Sequence, residues 1–160
     1  MSSTSVSPRA RRSLRVAARR MQNLRDRLFD ARSLVQSERT PFEVIHEDGI
    51  VRVRAYQPLA GSPVLHAVPL VIVAPLAVNM GIYDLFPERS VVRDLLTRGF
   101  RVYLIDWGRP GAGQDHWRLS TYITELMPAL LAQVRKHADT QALTLHGWSF
   151  GGLFSLCYAA

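Results

Sequence analysis

The spacing of apolar positions changes several times along the chain, and each change marks a predicted element. Between Arg9 and Ser37, residues Leu14, Ala17, Met21, Leu24, Leu28, Ala31 and Val35 recur at alternating intervals of three and four. That heptad stripe predicts an amphipathic helix over 9–37, read first as a helix docked on its own domain. A helical partner subunit, a homodimer or an anionic surface are the alternatives for the same stripe. Residues 1–8 are small and polar and predict a frayed tail.

The period then becomes two. Phe42–His46 and Ile50–Tyr56 alternate between apolar and polar and are joined by Glu47-Asp48-Gly49, whose Asp-Gly pair predicts a tight β-hairpin. Leu70–Ala74 is an unbroken apolar run of the kind found in parallel strands buried on both faces. Pro87 is expected to open a helix carrying Val91, Val92, Leu95 and Leu96 on one side, with Gly99 as its C-terminal cap. Phe100–Ile105 reads as a further strand ending at Asp106, before a turn-rich loop over 108–113. A helix is expected from about Ser120 to His137, bent at Pro128. Ala142–His146 reads as a short strand entering Gly147-Trp148-Ser149-Phe150-Gly151-Gly152, with a helix from Leu153 to Ala160. Strands alternating with helices predict an α/β architecture, a mostly parallel sheet with helices on both faces.

Charge divides the chain. Its formal charge is +7, and residues 1–40 hold ten Arg against three acids, so the remainder is balanced. The expected organisation is therefore a basic tail and helical arm over 1–39, then a domain over 40–160. Phe29 is the arm's one aromatic, which argues against binding to single-stranded nucleic acid. The single cysteine, Cys157, cannot form an internal disulfide. No apolar run reaches the roughly eighteen residues of a membrane span. With no secretory leader visible, a cytoplasmic protein without metal or cofactor is expected.

A strand feeding Gly-x-Ser-x-Gly and then a helix is the context of a nucleophile elbow. Ser149 is thus the candidate nucleophile. Gly147 and Gly151 are expected to be glycines because side chains two residues from a strained serine would collide with neighbouring elements. The helix after Ser149 would aim its amides at the same corner, so the Phe150 N–H is one expected oxyanion donor. The second is expected from the loop after the first parallel strand, at Ala77 or Val78. His146 is expected to be a buried structural histidine, Asp106 a structural cap, and Cys157 a core residue; His116 has no assignable role.

From about Thr40 onward the chain resembles the polyhydroxyalkanoate synthases, particularly those that work with a second helical subunit. The matching runs are Thr40–Ile45, Pro69–Ala74 with Val78-Asn79, Tyr83-Asp84-Leu85, Pro87–Leu96, Val102–Gly108, the elbow Gly147–Gly152, and Phe154–Ala160. The resemblance implies an α/β-hydrolase fold and a cytoplasmic enzyme. Such an enzyme passes hydroxyacyl groups from coenzyme A thioesters, through a nucleophile, to a growing polyester. The family's nucleophile is cysteine, whereas this chain has Ser149. An ester hydrolase of the serine esterase or lipase type is therefore the alternative activity, and a non-catalytic remnant acting through its basic arm a further one. In this fold the acid and the histidine follow the nucleophile in chain order. They are expected beyond residue 160, and residues 1–160 alone are expected to be inactive.

Overall fold

The computed structural model describes residues 16–21, 37–76 and 78–160. Residues 16–21 are a helical stretch, α1, with Val16 and Met21 exposed. The rest of the predicted arm helix up to residue 36, and the predicted frayed tail, lie outside the described residues.

Residues 37–160 form one unit around a five-stranded sheet. The hairpin forms as its alternation predicts. Strand β1 (Phe42–Asp48) pairs antiparallel with β2 (Val51–Tyr56), and Gly49 turns the corner at φ 58°. Next come β3 (Leu70–Val73), a short antiparallel pair β4 (Asp84–Phe86) and β5 (Arg89–Ser90), β6 (Val102–Asp106) and β7 (Thr144–Gly147). The main sheet runs β1-β2-β6-β3-β7. Strands β6, β3 and β7 are parallel, while β2 is antiparallel to both β1 and β6. All the strands of this sheet except β2 thus run one way, and their carboxyl ends share an edge.

Each face of the sheet is covered because its strands alternate. Val71, Val73, Tyr103 and Ile105 pack with Met127, Leu130, Leu131, Val134 and Phe154 of the helices on one side. Ile72, Leu104 and Val102 pack with Tyr83, Val92 and Leu96 on the other.

Pro87 does not open a helix. Helix α2 (Val91–Thr97) begins after Ser90, whose hydroxyl accepts the Arg93 N–H at 3.0 Å, and Pro87 sits in the turn between β4 and β5. A serine cap that satisfies an amide outcompetes a proline that merely tolerates the position. Gly99 does end that helix at φ 86°, with N–H bonds from Gly99 to Leu96 O (3.0 Å) and from Phe100 to Leu95 O (3.1 Å). These are the two bonds of a Schellman cap.

The next helix is bipartite. Thr121–Leu126 is π-helical and continues as α3 (Met127–Ala138), with Pro128 in its first turn. Proline cannot donate to the ladder. The preceding turn widens instead, and the Met127 N–H bonds to Tyr122 O. The last element is α4 (Phe150–Ala159). Among the described residues no helix is long and apolar enough to cross a membrane.

Candidate active site

Strand β7 ends at Gly147, and α4 starts at Phe150. Only Trp148 and Ser149 join them, so the chain must reverse within a single bend. Ser149 absorbs it at φ 55° and ψ −127°, a backbone conformation that L-residues avoid at a cost of about 1–3 kcal/mol. The bend is closed by the Gly151 N–H on Trp148 O and the Leu153 N–H on Ser149 O, each at 3.0 Å. Ser149 is left exposed at the carboxyl edge of the sheet. Its neighbours Trp148 and Phe150 are also exposed, at 58% and 40%.

Both flanking glycines have a steric cause. A Cβ on Gly147 would strike the Gly151 carbonyl, with the Gly152 nitrogen at 2.6 Å. A Cβ on Gly151 would run into the Val73 carbonyl oxygen, with Ala74 C at 3.1 Å. The first turn of α4 therefore lies directly against the end of β3. Phe150 is the first residue of α4, and an amide in that position has no carbonyl one turn earlier within the helix to accept it. The aligned dipoles of α4 add positive potential at the same end.

Trp107, the residue after β6, clamps this corner. It is buried, its indole Nε1 donates to Ala74 O at 2.7 Å, and its ring meets Tyr122 and Phe154 edge-on. The end of β3, the loop after β6, the π-turn and α4 are thus held by one side chain.

Asp106 is a structural carboxylate. One oxygen accepts the Gly108 N–H at 2.9 Å, and the other accepts Arg54 Nε at 3.1 Å and also its Nη2. Arg54 in turn donates through Nη1 to Glu38 at 2.9 Å. Burial works to lower the Arg54 pKa, but the hydrogen bonds and charges of Asp106 and Glu38 outweigh it and hold it above its usual value. Sequence reasoning missed Arg54. The alternation of Arg52 and Arg54 with Val51 and Val53 places the arginines on one face but cannot say that this face is covered at Arg54. A second buried pair was missed in the same way. The Asp84 carboxylate accepts the Thr40 N–H and hydroxyl at 2.7 and 2.8 Å, tying the entry to β1 onto β4.

Two residues sit differently from expectation. His146 is exposed rather than buried and stands edge-on to Tyr83, with centroids 6.4 Å apart. Cys157 is exposed, not in the core, because α4 turns only Gly151 and Phe154 fully inward. Val78 lies in the loop after β3, whereas Ala77 lies outside the described residues. Among the described residues the Ser149 side chain makes no capping hydrogen bond.

The parallel strands and the strand-to-helix bend that closes them belong to a fold with a counterpart in the sequence comparisons. The profile of the α/β hydrolase fold matches residues 76–160, more than half of the chain. The chain belongs to the α/β-hydrolase fold family. Within that family it is similar to the poly(3-hydroxyalkanoate) polymerase subunit PhaC of several organisms. It is 37% identical to that of Haloferax mediterranei over 128 residues, which cover 80% of this chain and 26% of that protein. It is 34% identical to the Synechocystis subunit over 121 residues, covering 76% and 32%, and 32% identical to that of Haloarcula marismortui over 140 residues, covering 84% and 30%. The chain thus spans between a quarter and a third of the length of these curated relatives. As an α/β-hydrolase-fold chain it contains the hairpin, three parallel strands and the elbow, with Ser149 at the bend.

Proposed function

We propose that Ser149 is the nucleophile of an acyl-transfer enzyme resembling the poly(3-hydroxyalkanoate) polymerases. The observation that carries this reading is the backbone of Ser149 at φ 55° and ψ −127° on an exposed strand-to-helix bend. A strained residue is retained where its strain positions a reactive group. In the proposed reaction Oγ attacks the carbonyl of a hydroxyacyl coenzyme A thioester while a base removes its proton. The C–S bond breaks, coenzyme A leaves as the thiol, and the acyl group stays on Ser149 as an oxygen ester. A hydroxyl acceptor then takes the acyl group and regenerates the serine. The Phe150 amide and an amide of the loop at Ala77 or Val78 stabilise the oxyanion, each worth about 3 kcal/mol.

Serine requires a base that cysteine can forgo, because the hydroxyl is a weak nucleophile at neutral pH. We propose an acid and a histidine supplied from outside residues 1–160, and expect these residues by themselves to be inactive. The residues 9–37 are proposed as the surface for a helical partner or a second copy. The protein is proposed to act in the cytoplasm.

The test is to offer the intact protein hydroxyacyl coenzyme A and, separately, a simple ester of the same acyl group. Release of free coenzyme A that disappears in Ser149→Ala supports acyl transfer from the thioester. Ester cleavage without coenzyme A release would replace this reading with a serine esterase.

A further inference from the structure

Beyond Val73, which is paired to Ile105 on one side and Gly147 on the other, β3 leaves the ladder of the sheet. The next carbonyl belongs to the fully buried Ala74 and has to find a donor inside the protein. It finds one in a side chain, the Trp107 indole, with Nε1 at 2.7 Å. Pro75 follows, with its φ fixed and no N–H to offer. The loop is held again at Asn79, whose side-chain oxygen accepts the Gly81 N–H at 2.9 Å and whose carbonyl accepts the Ile82 N–H at 3.1 Å. Val78, one of the two residues proposed above as an oxyanion donor, lies between these two anchors.

The indole is itself fixed. The Asp106 carboxylate accepts the Gly108 N–H across Trp107 and is engaged by Arg54. Gly108, at φ 67°, lies against the Ile50 carbonyl, where a Cβ would have no room. Tyr122 and Phe154 meet the indole ring edge-on. The elbow helix reaches the same peptide: a Cβ on Gly151 would stand 3.1 Å from the Ala74 carbonyl carbon, and Gly151 follows Phe150 directly. The Ala74 peptide is therefore shared by the loop that leads to Val78 and the turn that carries the Phe150 amide.

We propose that Trp107 is a positioning residue, whose indole N–H fixes the Ala74 peptide and thereby the spacing between the Val78 and Phe150 amides. The inference rests on the Ser149 reading above and adds what keeps its oxyanion donors in register. Such donors lower a barrier only when they are in place before charge develops, so displacing one costs rate rather than binding. Without the indole N–H the buried Ala74 carbonyl has no partner, and its peptide turns to find one.

Trp107→Phe removes the donor but also ring volume, so the deciding variant carries benzothienylalanine at position 107, an isostere in which sulfur replaces the indole N–H. The intact protein is labelled with a fluorophosphonate, from whose phosphorus Ser149 Oγ displaces fluoride. Exchange of the backbone amides over 74–79 is followed in parallel by mass spectrometry. The expected result is labelling of Ser149 that is about tenfold to a hundredfold slower at saturating probe, with the half-saturating concentration within about twofold of wild type. Amides over 76–79 should exchange faster in the variant. A lower melting temperature with an unchanged labelling rate would leave Trp107 a structural residue only and overturn the inference, as would unchanged exchange over 76–79. Failure of the wild-type protein to label at Ser149 is a separate outcome, which would remove the nucleophile reading and with it this role for Trp107.

Discussion

The position that a Cβ would occupy on Gly151 is already filled by the main-chain carbonyl of Val73. The elbow helix can approach the central strand this closely only because that residue has no side chain. Gly151→Ala should therefore displace α4, destabilise the protein by about 1–3 kcal/mol, as overpacking does, and remove activity. Gly111→Ala is the matched control, since open space surrounds it and its backbone is extended at φ −127°. Urea denaturation should leave Gly111→Ala within about 0.5 kcal/mol of wild type. Equal behaviour of the two variants would contradict the close approach.

Strain at Ser149 has a sign that mutation can read. At an ordinary position alanine is more stabilising than glycine by about 0.4–1 kcal/mol, through the entropy of the unfolded chain. At φ 55° and ψ −127° the order should invert, with Ser149→Gly more stable than Ser149→Ala by about 1 kcal/mol. Both variants should be inactive. A thermal or urea comparison in which alanine wins would show that the bend is relaxed.

The ion pair between Arg54 and Asp106 is largely buried. Removing one partner leaves the other charged and desolvated, which typically costs about 3–5 kcal/mol. Arg54→Met should lower stability on that scale in urea denaturation, and Asp106→Asn by less, because Arg54 keeps Glu38 at 2.9 Å. The double variant should lose much less than the two losses added, because the residues act on each other. Strict additivity would mean that the pair is not coupled.

Alkaline pH tests a different buried group. Tyr56 is buried, and among the described residues its hydroxyl has no partner at hydrogen-bond geometry, with the Arg54 guanidinium close enough to favour its ionised form. Burial, opposed by the charge of Arg54 and assisted by Asp84 and Glu38, pushes its pKa up to about 12. The ordinary value is about 10, so the folded state keeps a proton that the unfolded state has lost. Stability should be intact below pH ~10 and fall as pH rises from about 10 to about 12. Burial also raises Tyr83, Tyr103 and Tyr122, so the wild-type slope is shared. Tyr56→Phe should make it shallower and leave stability near neutrality unchanged or slightly higher. An unchanged slope would assign the alkaline loss to the other tyrosines.

Much of this architecture was legible in the sequence because the signals there are local. Asp48-Gly49 fixed the hairpin, the run Leu70–Val73 fixed a strand buried on both faces, and Gly147, Ser149 and Gly151 marked the bend. The errors arose where a choice depended on competition or on distant neighbours. Pro87 lost the helix start to the Ser90 cap, and the brief β4–β5 pair is too short to have a period. The π-turn before Pro128 is a rearrangement of hydrogen bonds that apolar spacing does not encode. His146 and Cys157 were expected to be buried from strand and helix patterns, yet burial depends on what is packed over each face. Arg54 shows the converse: a charged residue in an alternating strand, buried because Asp106 and Glu38 were brought to it from elsewhere in the chain.

The most direct test of the role of Ser149 is to trap the acyl-enzyme. The intact protein would be mixed with a hydroxyacyl coenzyme A thioester, quenched in acid within the first turnover, digested and mapped by mass spectrometry. The expected result is an acyl adduct on the peptide containing Ser149, absent in Ser149→Ala. Coenzyme A release with no adduct at Ser149, or an adduct on another residue that persists in Ser149→Ala, would contradict the assignment.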